Sequence, residues 1–242
     1  MMNPILVYCR RDLIRWIRGR WGFVSALALP AAWLVFVGLA LPIRFTDHYL
    51  DFVTPGILAM TTLSASLSGG GLIIQDRMLG FFNKFLALPP PRESILFGKI
   101  LVITIRGLIQ STIILGFAFM LGARLYSPLQ VLTTYLILVI FGVLLSAFSI
   151  TLAIYVGEHD QYAAVTAMIS MPIFFTSSAM MPYDSMPDWL RVFAYVNPLS
   201  FAIDGIRIMQ GGAVPVTQIG VLSGLSLVVV CFAVYAFRKV KV

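Results

Sequence analysis

Residues 129–156 read LQVLTTYLILVIFGVLLSAFSITLAIYV, a run of 28 residues without one charge. A helix needs about 20 apolar residues to cross the hydrocarbon core of a bilayer. Strands of a transmembrane barrel alternate apolar and polar residues instead. This run is continuously apolar and too long for a strand, so it reads as a membrane-spanning helix.

The rest of the chain agrees. Of 242 residues, 60% are apolar and 11% charged, with a mean hydropathy of +0.94. Soluble domains carry about 25% charged residues, so a water-soluble globule is excluded. Disorder is excluded on the same numbers. Five further apolar runs lie at 22–41, 53–74, 100–121, 162–181 and 219–237. With 129–156 they predict six spans, an all-α integral membrane protein built as a single domain over 1–242.

Charge then predicts orientation. Arg10, Arg11, Arg15, Arg18 and Arg20 precede the first span, Arg77, Lys84, Arg92 and Lys99 join spans two and three, and Arg238, Lys239 and Lys241 end the chain. Those twelve share one side, while Arg44, Arg124, Arg191 and Arg207 fall on the other. Basic loops stay in the cytoplasm. The expectation is a multi-pass protein of the cell (inner or plasma) membrane with both termini cytoplasmic. The net charge of +7 is then a record of topology and implies no nucleic acid. Cys9 and Cys231 form no metal or disulfide pattern, and His48 and His159 fall on opposite faces, so neither a metal site nor a catalytic one is expected.

Three segments do not span. Residues 4–20 predict a helix lying in the interface. Ile5, Leu6, Cys9, Leu13, Trp16 and Ile17 lie on its dry face, and Arg11, Asp12, Arg15 and Arg18 on its wet one. It serves either as a basic anchor or also as a contact to a partner. Residues 75–99 read QDRMLGFFNKFLALPPPRESILFGK. Leu79, Phe82, Phe85 and Leu86 share a helical face, and Pro89 to Pro91 end the helix. Such a segment is either an amphipathic connector on the bilayer or a docking knob. Residues 182–218 carry four prolines among Trp189, Leu190, Val192, Phe193 and Tyr195. They predict short external helices dipping back into the outer leaflet, which covering protein permits. Ser185 before Asp188 reads as a helix start, and Asp204 and Arg207 are spaced to pair on a helix.

Two sets of residues carry a family likeness. The first is Asp76-Arg77, Gly80-Phe81, Lys84, Leu86, Pro89, Arg92 and Gly98-Lys99. The second is Met181-Pro182, Met186-Pro187, Trp189-Leu190, Asn197-Pro198-Leu199, Asp204 and Arg207. In this order and topology the chain resembles the membrane (permease) subunits of ATP-binding cassette (ABC) exporters, the type-two permease family, in its drug-resistance branch. Many relatives carry an acidic residue where this chain has Met78; Asp76 is the nearest acid.

The resemblance implies a permease powered elsewhere. ATP and Mg would be used by separate ATPase subunits, two per complex, with a second permease copy or paralogue completing the pair among membrane lipids. No phosphate-binding loop is present: Gly69-Gly70-Gly71 lacks the following Lys-Ser/Thr and reads as small residues that let helices approach. The expected ATPase-docking residues are Asp76, Arg77, Gly80, Phe81, Phe82, Lys84 and Phe85, with Glu158 and Asp160 as a second contact. The apolar spans suggest an amphipathic, lipid-like or drug-like cargo exported from the cytoplasm along Met60, Ser64, Met168, Met171, Phe174 and Phe175. The external motif is Asn197, Pro198, Asp204 and Arg207. Arg106, the one charge well inside a span, either snorkels or has a function. The rival reading is an ATP-independent secondary transporter or channel. Against it stands the lack of a mid-membrane carboxylate or basic relay.

Overall fold

The computed structural model describes residues 4–40, 49–81, 93–124 and 127–239. Its helices in chain order are α1 (Pro4–Arg18), α2 (Arg20–Ala40), α3 (Tyr49–Gly69), α4 (Gly71–Met78), α5 (Glu93–Met120), α6 (Pro128–Val156), α7 (His159–Phe175), α8 (Asp188–Val196), α9 (Pro198–Gln210) and α10 (Val216–Arg238), with a 3₁₀ turn at Tyr183–Ser185. No strand occurs among the described residues.

The uncharged run is the axis of the bundle. Ser127 starts α6 with a reciprocal capping box to Gln130, and Pro128 sits at its first position, where the missing N–H costs nothing. Gly157 ends it at φ 76°, a conformation that glycine adopts without penalty. Packed against α6 are α10, α5, α3 and α9. One apolar core joins α3, α5, α6 and α9 around Leu63, Phe141 and Ile203. A second lies at the end of the bundle where Arg11, Lys99 and Arg238 gather, the basic end, around Ile73, Leu96 and Phe237.

Four helical stretches among the described residues are long and apolar enough to cross a membrane: Tyr49–Met78, Glu93–Met120, Pro128–Val156 and Val216–Arg238. A fifth is reached if Ile5–Arg18 and Gly22–Phe36, bent by 75°, form one broken span. That bend separates the predicted surface helix from the predicted first span, whose last residue, Leu41, lies outside the described residues. Of the predicted span 162–181, the helix covers only the part up to Phe175. Helix α7 has 17 residues and stops at Phe175, a rise of about 26 Å against a core of about 30 Å. The reason is local capping. Thr176 Oγ1 donates to the Pro172 carbonyl (2.8 Å), Ser177 Oγ to that of Phe174 (2.6 Å) and Asn197 Nδ2 to that of Ile173 (2.6 Å). These side chains take the carbonyls at the end of the helix.

The glycine triplet marks a close approach. A Cβ on Gly69 would lie 2.5 Å from Ile103, and one on Gly70 would lie 2.3 Å from the Tyr162 hydroxyl and 2.4 Å from the Ser149 carbonyl. Helices α5, α6 and α7 therefore all press on the α3–α4 junction.

Candidate functional site: the two ends of the bundle

At the basic end, α1 lies across α5. Gly98 allows this, because a Cβ there would sit 2.9 Å from Tyr8 Cβ and 3.2 Å from the Ile5 carbonyl. The next residue, Lys99, is 1% exposed. Its Nζ donates to Asp12 Oδ2 at 2.7 Å and also to Asp76 Oδ2. Arg11 completes the cluster, with Nε 2.8 Å from Asp12 Oδ1 and Nη2 2.9 Å from Asp76 Oδ2. Buried charges persist only when paired and hydrogen-bonded, and here each carboxylate has two cationic partners. The cluster joins α1, α4 and α5.

Two expectations change. Asp12 does not lie on a wet face: the buried side of α1 is Tyr8, Cys9 and Asp12, while Leu6 and Ile17 are exposed. Asp76 is buried as well, so its carboxylate acts inside the bundle and offers no surface. Neighbouring Arg77 donates from Nη1 to the Ile154 carbonyl at 3.1 Å and ties α4 to the last turn of α6. Gly80, at φ 68°, turns the chain out of α4, and Met78, Leu79 and Phe81 are exposed there. Phe82, Lys84 and Phe85 lie outside the described residues. Across a cavity of about 540 Å³, Met78, Leu79 and Gln75 face His159 and Asp160 at the start of α7. Glu158, next to them, is exposed and accepts from Gln161 Nε2 at 2.6 Å. The structure thus brings the start of the predicted docking segment beside the predicted second contact.

Ser68 on α3 lines that cavity and two more, of about 390 and 310 Å³, and Ser64 lines both of the latter. They follow one polar edge of α3, bordered by α1, α2 and α5 on one side and α7 on the other. Of the predicted path residues, Ser64 stands on this edge. Met60 and Phe174 are buried in the core, Phe174 edge-on to Trp33 with ring centres 5.5 Å apart. Met168, Met171 and Phe175 are exposed on the outside of α7. Arg106 stays outside the ion cluster and lines both the cavity of about 390 Å³ and that of about 540 Å³. Its Nη2 donates to the Asp12 carbonyl at 2.9 Å, and the guanidinium lies 5.4 Å from the Trp16 ring centre.

At the opposite end the predicted motif closes a packed corner. Asn197 accepts from the Leu199 N–H at 2.9 Å and donates to Thr176 Oγ1 at 3.0 Å, so it caps α9 while fixing the end of α7. Pro198 occupies the first position of α9. Asp204 accepts from the Ser178 hydroxyl (2.8 Å) and the Tyr183 hydroxyl (2.5 Å). Arg207 donates to the carbonyls of Ser178 (2.7 Å) and Phe52 (3.0 Å) and stacks on the Phe52 ring at 3.8 Å. Asp204 and Arg207 thus clasp the 178–183 segment from two sides. Burial, then the Asp204 carboxylate, push the Tyr183 hydroxyl well above the usual tyrosine range. Helix α8 starts from Pro187, with no cap from Ser185. Among the described residues no group of three His, Cys, Asp or Glu is placed to hold a metal ion.

Sequence reasoning missed Asp12 and Lys99 as partners. The signal available was a lone acid in a basic helix and a lysine directly after a glycine.

Apolar helices of spanning length, tied at one end by a buried ion cluster and edged by cavities, define a multi-pass membrane protein of the permease class. The profile of the ABC-2 type transporter family matches residues 4–210, and the chain belongs to that family. It is 34% identical over 217 residues to a transport permease, ycf38, of Cyanophora paradoxa, covering 86% of this chain and 74% of that protein. A protein described as a doxorubicin resistance ABC transporter permease, DrrC, of Mycobacterium tuberculosis is 28% identical over 223 residues, covering 90% and 80%. A daunorubicin resistance ABC transporter permease, DrrB1, of Streptomyces coeruleorubidus is 25% identical over 180 residues, covering 73% and 63%.

Proposed function

We propose that this chain is the transmembrane permease of an ATP-driven exporter that moves an amphipathic, lipid-like or drug-like substrate out of the cytoplasm. Two separate ATPase subunits use ATP and Mg, and two permeases, copies or paralogues, form the membrane part. Each permease crosses the cell membrane six times with both termini cytoplasmic, and the 182–218 segment dips back from outside. The family and the drug-resistance names of its relatives support this reading.

The observation that carries the coupling is that Gln75, Met78 and Leu79 face His159 and Asp160 across one cavity. Gly80, Phe81, Phe82, Lys84 and Phe85 with Glu158 and Asp160 form the ATPase-facing surface. Asp76 and Arg77 act from behind it: movement of the docking segment reaches α5 through Lys99 and α6 through Ile154. Cargo passes along the polar edge of α3 at Ser64 and the outer face of α7 at Met168, Met171 and Phe175, with Met60 and Phe174 behind them.

The test replaces Phe82 and Phe85 by Asp in the assembled complex. Transport into inverted vesicles should stop while the permease stays folded, and ATPase recovered by pull-down should fall. Full recovery with unchanged transport refutes the docking assignment. Transport that continues without ATP and ignores vanadate refutes the ATP-driven reading and favours a secondary carrier.

A further inference from the structure

We infer that the cavity enclosed by α1, α2, α3 and α5 is a binding site for the phosphate headgroup of an anionic membrane lipid. This goes beyond the exporter reading and does not depend on it, because the lipid need not be cargo and its binding needs no ATPase.

The cavity measures about 390 Å³ and is lined by Trp16, Pro30, Ser64, Ser68, Arg106 and Gln110 among others. That volume lies within the range of small-ligand sites, roughly 300–1,000 Å³. Gln110 is 3% exposed and lines the cavity. The Arg106 Nε is buried without an acceptor. A buried guanidinium nitrogen left unmatched carries a desolvation cost that a ligand oxygen would relieve.

Charge selects an anion. Among the described residues, Arg11 and Lys99 each pair with both Asp12 and Asp76, whereas Arg106 makes no ion pair, although Asp160 shares the cavity of about 540 Å³ with it. Arg106 is left with a backbone carbonyl and the Trp16 ring. It is the surplus cation, in a low-dielectric setting where an anion is attracted strongly. A guanidinium fork matches phosphate oxygens in pairs. The Ser64 hydroxyl and the Gln110 amide add donors on the facing walls, while the Ser68 hydroxyl donates to the Ala65 carbonyl at 3.1 Å.

Position selects a lipid over a soluble anion. Arg106 stands seven residues beyond Lys99, about 10 Å along α5, within a helix of spanning length. Trp16, an aromatic suited to the interfacial layer, forms the rim. On the α2 side, Ser25 and Leu29 line the cavity and are exposed, which leaves an opening for acyl chains.

The experiment uses the full chain in mixed micelles holding equal amounts of phosphatidylglycerol and phosphatidylcholine, with retained lipids counted by native mass spectrometry. Phosphatidylglycerol should be retained about tenfold over phosphatidylcholine, the equivalent of one charge-assisted contact. Arg106→Gln should bring the ratio to about one and Arg106→Lys should keep most of it, while Gln110→Leu, which removes a neutral donor to the phosphate that both lipids share, should lower the retention of both severalfold. Arg124→Gln, a surface charge at the opposite end, should leave it unchanged. A wild-type ratio near one overturns the proposal, as does a ratio unaffected by Arg106→Gln. If Arg106→Gln does not fold, Gln110→Leu decides by the amount of phosphatidylglycerol retained, which should fall severalfold; unchanged retention overturns the proposal. Loss of phosphatidylglycerol to excess inorganic phosphate assigns the site to a free anion and overturns the lipid assignment.

Discussion

Lys99 is an ammonium buried between two carboxylates, and the worth of that arrangement lies in what its removal exposes. Asp12 and Asp76 are each 1% exposed. With Lys99→Met they would share Arg11 alone, and breaking a buried pair by removing one partner costs about 3–5 kcal/mol. Thermal unfolding in detergent should show that loss for Lys99→Met. Adding Asp12→Asn should recover part of it, because the two residues act on one network. A loss under about 1 kcal/mol would mean that apolar packing around Tyr8 and Cys9, and no ion pair, holds α1 on α5. The partners stand 23 and 87 residues apart in sequence, so local pattern can mark each residue as unusual but cannot reveal their pairing. Helical spacing put Asp12 among the arginines of the wet face. The fold instead turns that residue inward because a lysine and an arginine are there to meet it.

At the scale of the element, the junction of α3 and α4 is set by size alone. Gly70 has ordinary helical angles, φ −60° and ψ −27°, so its backbone does not call for glycine. What does is the Tyr162 hydroxyl, which donates to the Leu67 carbonyl and lies 2.8 Å from Ser149 Oγ, in the space a side chain on Gly70 would take. Gly70→Ala should therefore destabilise the protein by about 1–3 kcal/mol, the usual cost of overpacking a close contact. Gly71→Ala meets nothing nearer than 3.6 Å and should be neutral or slightly stabilising, as alanine is the better helix former. Equal melting temperatures for the two variants would remove close packing as the reason for the triplet. That Gly69-Gly70-Gly71 serves helix approach was legible in the sequence, from small residues inside an apolar run. Which helices approach was not, since that depends on Ile103, Ser149 and Tyr162 from three other elements. The end of α7 was hidden for the same reason. Hydropathy runs unbroken to Met181, whereas the helix is stopped by Asn197 from the following segment.

For the whole molecule the open quantity is the number of crossings, and α7 decides it. Its 17 residues fall a few ångströms short of a bilayer core of about 30 Å. The chain beyond it is not a free loop, however. Ser177, Ser178 and Ala179 are buried, and Arg207, Ser200 and Asp204 satisfy their polar groups. Irregular backbone is allowed at membrane depth when protein covers it and supplies its hydrogen bonds. A short helix continued by a covered turn can therefore complete a crossing that hydropathy assigns to one straight span. In a background with Cys9→Ser and Cys231→Ser, single cysteines at Leu79, Asp160 and Lys239 should react with an impermeant maleimide only from the cytoplasmic side. Cysteines at Asp184 and Arg124 should react only from outside. Labelling of Asp160→Cys and Asp184→Cys from the same side would mean that α7 does not cross. If that side is the outside, the acidic start of α7 lies away from any cytoplasmic ATPase. The same measurement thus tests the coupling surface, because Asp160 can serve as a docking contact only on the side where Leu79 is labelled.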